Sequence, residues 1–114
     1  MTYINLEYLH AITDGEKPII RVILEMFIAQ VPEFIQNLNR FFQAEDYNAL
    51  GREAHKAKSS LQIVGMTDLE NEMKILIKKT SEGTDVASYP DHIRNFEIQC
   101  NGAVAEIDVV LSSL

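Results

Sequence analysis

Apolar residues recur every three to four positions along most of the chain, and no sustained two-residue alternation appears. That spacing predicts amphipathic helices, and the missing alternation argues against a sheet. A short opening helix is predicted over 5–12, with Leu6, Leu9 and Ile12 on one side. Thr13-Asp14-Gly15 breaks it, and Thr13 or Asp14 is placed to cap the second helix. Pro18 suits a first helical turn. A long helix is predicted over 17–44. Its apolar side carries Ile19, Val22, Ile23, Met26 and Phe27, then Phe34, Ile35, Leu38, Phe41 and Phe42. Pro32 lies inside this run and should kink the helix without ending it, because it removes one backbone donor.

Asp46 is a candidate N-cap for a third helix over 47–64, whose apolar side is Tyr47, Leu50, Ala54, Ala57, Leu61 and Val64. Gly65 comes next, a residue able to take the left-handed conformation that ends helices. Thr67 and Glu70 have capping-box spacing for a fourth helix. That helix carries Leu69, Met73, Leu76 and Ile77, closes on Lys78-Lys79 and stops near Gly83. Residues 84–90 read as a connecting loop. A last helix over 91–111 carries Ile93, Phe96, Ile98, Cys100, Val104, Ile107, Val110 and Leu111. Four substantial amphipathic helices on short loops imply an all-α, antiparallel up-down-up-down four-helix bundle with a short N-terminal cap helix.

At 114 residues the chain has the size of one domain, expected to span 1–114 and to bury one core. Seventeen acidic against 10 basic residues give a net charge of −7. Such a chain is repelled by nucleic acid and anionic lipid, so neither is an expected partner. The N-terminus lacks a basic and apolar leader, and no apolar run reaches the roughly 18 residues a membrane span requires. A cytoplasmic monomer is expected. Cys100 is the single cysteine, which excludes an intrachain disulfide and reads as a small buried hydrophobe.

The candidate chemistry centres on His55. On a helix its surface neighbours are the residues three and four away, namely Gly51, Arg52, Lys58 and Ser59. Small side chains therefore stand at both i±4 positions and cations at both i±3 positions. Ala54, Ala57 and Leu61 face a different side, so His55 should be exposed. A neutral imidazole offers an unprotonated nitrogen near neutral pH and can hold a covalent intermediate. Phosphoryl transfer needs chiefly positioning and charge stabilisation, which adjacent cations supply. The stretch from Arg52 to Lys58, with Lys56 between them, carries a local positive charge inside an acidic protein.

Asp46-Tyr47-Asn48-Ala49-Leu50, then Ala54-His55-Lys56-Ala57-Lys58-Ser59-Ser60, then Val64-Gly65, resembles the histidine-containing phosphotransfer (HPt) domains of two-component phosphorelays. That family's signature is an Ala-His pair, a lysine three residues on, a Gly-Ser or Gly-Ala step and a glycine ten residues on. His55, Lys58, Ser60 and Gly65 fall on those positions, and the helical pattern with a proline in the long helix is similar too. The resemblance implies phosphorylation at His55, neutralisation of the phosphoryl group by Lys58, and no kinase or phosphatase activity of the chain's own. It also implies docking of a receiver domain, from a hybrid sensor kinase or a response regulator, on a face that includes Gly51, Arg52, Lys56, Ser59 and Gln62. No cofactor or metal is expected in this chain; Mg²⁺ belongs to the receiver.

Two positions depart from the family pattern. Ser59 stands where glycine is usual, and Ile77 stands where a polar side chain often orients the imidazole; Glu70, Lys74 and Lys78 are the nearby substitutes. Both departures favour an alternative, a helical adaptor that binds a signalling partner without being phosphorylated. His10 and His92 lack cationic framing and read as surface or helix-end histidines, and Glu70 and Glu72 as a solvated face. No His or carboxylate pair shows the inward-facing Glu-x-x-His pattern of di-iron bundles, and Ser59-Ser60 has no histidine-acid partner for nucleophilic catalysis.

Overall fold

The structure, a computed structural model, describes residues 1–114. Its helices are α1 (Glu7–Ile12), α2 (Lys17–Gln43), α3 (Tyr47–Ile63), α4 (Thr67–Glu82) and α5 (Tyr89–Ser112), with one 3₁₀ turn at Val86–Ser88. At about 1.5 Å per residue α2 is about 40 Å long, which accounts for the long axis of the 43 × 21 × 21 Å molecule. α2 packs on α3 and α5, and α4 packs on the same two helices. Short turns make successive helices antiparallel, so the four close into an up-down-up-down bundle. α1 covers one end of it by burying Leu9 completely.

The core runs along the bundle axis. Leu24, Leu38, Leu50, Leu61, Met73, Leu76, Phe96 and Ile107 are each fully buried, and burial of such a side chain contributes roughly 1.5–3 kcal/mol. Phe34 meets Phe96 edge to face at 6.3 Å. The predicted apolar side of α3 is the observed one, and the Asp46 carboxylate caps that helix by accepting from the Ala49 N–H at 3.1 Å. Gly65 and Gly83 take left-handed conformations at the ends of α3 and α4. α2 continues through Pro32, which is exposed.

Several local expectations are corrected. The line of α2 that enters the core is Ile20, Leu24, Phe27, Val31, Phe34 and Leu38. Ile19, Val22 and Met26 lie on a parallel line that stays 44–56% exposed, as do Ile12 and Ile98 elsewhere. Neither Thr13 nor Asp14 caps α2. The Thr13 hydroxyl is used within α1, donating to the Leu9 carbonyl at 2.7 Å, and Glu16 holds the N-cap position. Thr67 is the first residue of α4 rather than its cap, and Glu70 reaches towards Lys74 at 4.0 Å in place of a capping box. The loop before α5 is shorter than expected because Tyr89 is buried and tied down. Its hydroxyl lies 3.0 and 2.9 Å from the carbonyls of Lys79 and Thr84, to which it donates.

The N-terminal residues form a strap across the end that α1 covers. Glu106 of α5 accepts from the N–H groups of Thr2, Tyr3 and Ile4 at 2.7, 2.9 and 3.1 Å. Burial pushes this carboxyl up, but the three N–H groups together outweigh it and hold it below its ordinary range. The Asn5 N–H donates to Val64 at 3.0 Å. A side chain at Gly65 would run into the Asn5 carbonyl, and one at Gly102 into the Tyr3 ring. Glycine at 65 thus serves both a left-handed turn and the close passage of the strap.

Candidate functional site

Ala54 and Ala57 put the core face of α3 at zero exposure. His55 is one residue, about 100°, round the helix from Ala54, and its ring is exposed. Neither ring nitrogen makes a hydrogen bond within the protein. The side chain borders a recess of about 380 Å³ between α3 and the last turns of α4. From α3 the recess also takes Tyr47, Asn48, Gly51 and Arg52, and from α4 it takes Ile77, Thr80 and Ser81.

Gly51 lines this recess for a reason of packing. α3 and α4 come so close here that a Cβ at Gly51 would stand 2.5 Å from the Thr80 hydroxyl oxygen. Thr80 is buried and donates to the Ile77 carbonyl at 2.9 Å. Arg52 is exposed, and its guanidinium makes no ion pair or hydrogen bond in the protein. The same holds for Lys56, which is exposed, and for Lys58, which is half-buried. Three uncommitted cations therefore lie within one helical turn of His55 along α3, in a protein with net charge −7.

The predicted site residues do not all meet. Gly51, Arg52 and His55 share the recess, whereas Lys58 does not border it. Lys56 and Ser59 lie on the open surface of α3. Gln62 lies two turns further on, in a separate concavity with Asn5, Glu7 and Tyr8. On the α2 side of α3, the Ser60 hydroxyl donates to Gln30 at 2.9 Å, beside an apolar groove that includes Ile23, Met26, Phe27 and Ile63. No cluster of three or more metal-binding side chains is present.

His92 departs from its sequence reading. It is 15% exposed, with Nδ1 3.1 Å from a Glu72 oxygen and Nε2 3.0 Å from the Lys79 ammonium. A carboxylate only accepts and an ammonium only donates, so Nδ1 carries the proton and Nε2 presents its lone pair. Asn95 donates to the other Glu72 oxygen at 2.7 Å. Lys79 also meets Ser88 and Asp85 at 2.9 Å each and holds the Asp85 carboxyl below its ordinary range. Glu72 is thus part of a polar knot joining α4 to α5 rather than a solvated face. The sequence signal for it is faint: Glu72 and Lys79 share a face of α4, His92 and Asn95 share one of α5, and only the helix register brings the pairs together.

His10 is exposed, and Glu7 stands one turn before it on α1, an anionic neighbour that would repel a phosphoryl group. Cys100 is fully buried, and burial pushes its thiol up to about 12, so it is unreactive.

Comparison with known proteins returns one family model, the Hpt domain, matching residues 22–101. Among solved structures, the crystal structure of histidine-containing phosphotransfer protein B (HptB) from Pseudomonas aeruginosa PAO1 is similar, with a TM-score of 0.90 and 19% sequence identity. The match covers 99% of this chain and 97% of that one. No curated protein sequence matches.

Proposed function

The chain belongs to the Hpt domain family of phosphorelay phosphocarriers, and from that premise we propose that His55 is the residue that carries the phosphoryl group. The observation that supports this most is the state of the ring. His55 has two uncommitted nitrogens on an exposed surface among unpaired cations, His92 has both nitrogens engaged, and His10 has the acidic Glu7 one turn before it. The unprotonated nitrogen attacks the phosphorus of a receiver's aspartyl phosphate. The P–O bond breaks with its electron pair returning to the carboxylate, and the second ring nitrogen keeps its proton. Transfer onward is the same exchange in reverse on another receiver, with Mg²⁺ carried by that receiver.

The receiver, from a hybrid kinase or a response regulator, docks across α2 and α3. Arg52, Lys56 and Ser59 supply the polar surround of His55, and exposed Val22 and Met26 with the groove at Ile23 and Ile63 supply the apolar part. The chain acts as a monomer in the cytoplasm. No helix is long and apolar enough to cross a membrane. Incubation with a phosphorylated receiver domain should give acid-labile, base-stable label, and His55→Gln should abolish it. Label retained in that variant would contradict the assignment, and binding without any label would favour the adaptor reading.

A further inference from the structure

Two cations flank His55 at equal sequence distance, Arg52 three residues before it and Lys58 three residues after. Spacing alone treats them alike, but the fold does not. One helical turn of α3 before His55, the surface falls away into the recess that Arg52 and His55 border together. Lys58 lies one turn beyond the ring, half-buried and outside that recess. The guanidinium of Arg52 has no partner in the protein, and two exposed polar residues, Asn48 and Ser81, line the same recess. A cation, an amide donor and a hydroxyl at one mouth suit an oxyanion. The floor, formed by Gly51, Thr80 and Ile77, offers no anionic side chain to oppose one.

We propose that this recess is the seat of the phosphoryl group bound to His55, with Arg52 as the principal neutralising cation and Ser81 and Asn48 as further donors. The proposal rests on His55 being the acceptor and assigns the charge of the site to a different residue from the one the sequence favours. A planar guanidinium can engage two phosphoryl oxygens at once, which a single ammonium cannot do with the same geometry. The volume of about 380 Å³ leaves room beside the phosphoryl group for side chains of the receiver.

The test uses the whole protein loaded with potassium phosphoramidate, a small donor that phosphorylates imidazole directly, so no receiver is needed. The ³¹P signal of phosphohistidine is then followed against pH to obtain the second ionisation of the phosphoryl group. Side chains three apart on a helix stand about 5–6 Å apart at Cβ; a positive charge at that range favours the dianion, and its removal should raise that ionisation by about half a pH unit. Arg52→Ala is expected to show this rise, Arg52→Lys to recover most of the wild-type curve, and Lys58→Ala to move it less. An Arg52→Ala curve superimposable on wild type, or a larger displacement in Lys58→Ala, would overturn the seat. The His55 assignment is checked separately with a phosphorylated receiver domain as donor: phosphohistidine label that persists in His55→Gln would sink that reading.

Discussion

His55 and His92 each have a basic side chain within reach, and each lies near α4, yet the fold uses them in opposite ways. The His92 ring is 15% exposed and spans from Glu72 to Lys79, so both nitrogens are consumed in joining α4 to α5. His55 stands exposed on α3 with both nitrogens free and with Arg52, Lys56 and Lys58 all unpaired. A nearby cation therefore does not by itself leave a histidine free to take a phosphoryl group. The acceptor needs an unspent lone pair and positive charge that no internal carboxylate has already neutralised. Where Glu72 and Asp85 satisfy the local charge, the same residue types build a structural tie.

The contrast can be broken most sharply by exchanging which histidine is removed. His55→Gln should lose all phosphate label, while His92→Gln keeps it to within about twofold, less than half a kcal/mol by the usual conversion. Stability should respond the other way round. His92→Ala strips hydrogen bonds from two charged, part-buried partners and should cost about 1–2 kcal/mol in urea unfolding. His55→Ala, on an open surface, should stay within about 0.5 kcal/mol. Equal losses from the two would mean that the tie at α4 and α5 contributes nothing.

Chemical reactivity gives a smaller separation. Diethyl pyrocarbonate needs an unprotonated ring nitrogen, which His92 exposes only after breaking its bond to Lys79. His55 should react roughly tenfold faster, the factor that corresponds to about 1.4 kcal/mol for one such opening. The smallest effect lies outside both histidines. The Glu106 carboxyl is held below its ordinary value of 4.5 by the strap's N–H groups. A depressed carboxyl stabilises the fold above its ordinary value and loses that contribution as pH falls through the folded one. Glu106→Gln should thus lower Tm by a few degrees near neutral pH, on the order of the shift for a fraction of a kcal/mol. The difference from wild type should close as the pH falls below 4.5 and through the depressed folded value.

Much of the fold is legible in the sequence because helix periodicity and end signals agree. The buried face of α3 (Leu50, Ala54, Ala57, Leu61) and the terminators Gly65 and Gly83 stand where the pattern puts them. α2 misleads because it carries two adjacent apolar lines, and only its packing on α3 and α5 decides that Ile20 and Leu24 go inside while Val22 and Met26 stay out. The exposure of His55 is implied by its place beside Ala54. Hidden from the sequence is every feature made by two helices together. The recess that separates Arg52 from Lys58 depends on how α3 meets the end of α4, and Gly51, whose small size suggests space for a partner, is there to admit Thr80. The His92 tie joins residues 20 apart in sequence, a distance at which spacing carries no information.

Phosphate mapping on intact protein tests the central claim most directly. After incubation with a phosphorylated receiver domain, the chain is digested at alkaline pH and the modified ring located by electron-transfer fragmentation. The phosphate should sit on His55, with His10 and His92 unmodified. Phosphate on His92, or a phosphorylated protein whose His55 peptide is unmodified, would contradict the assignment of the free ring as the carrier.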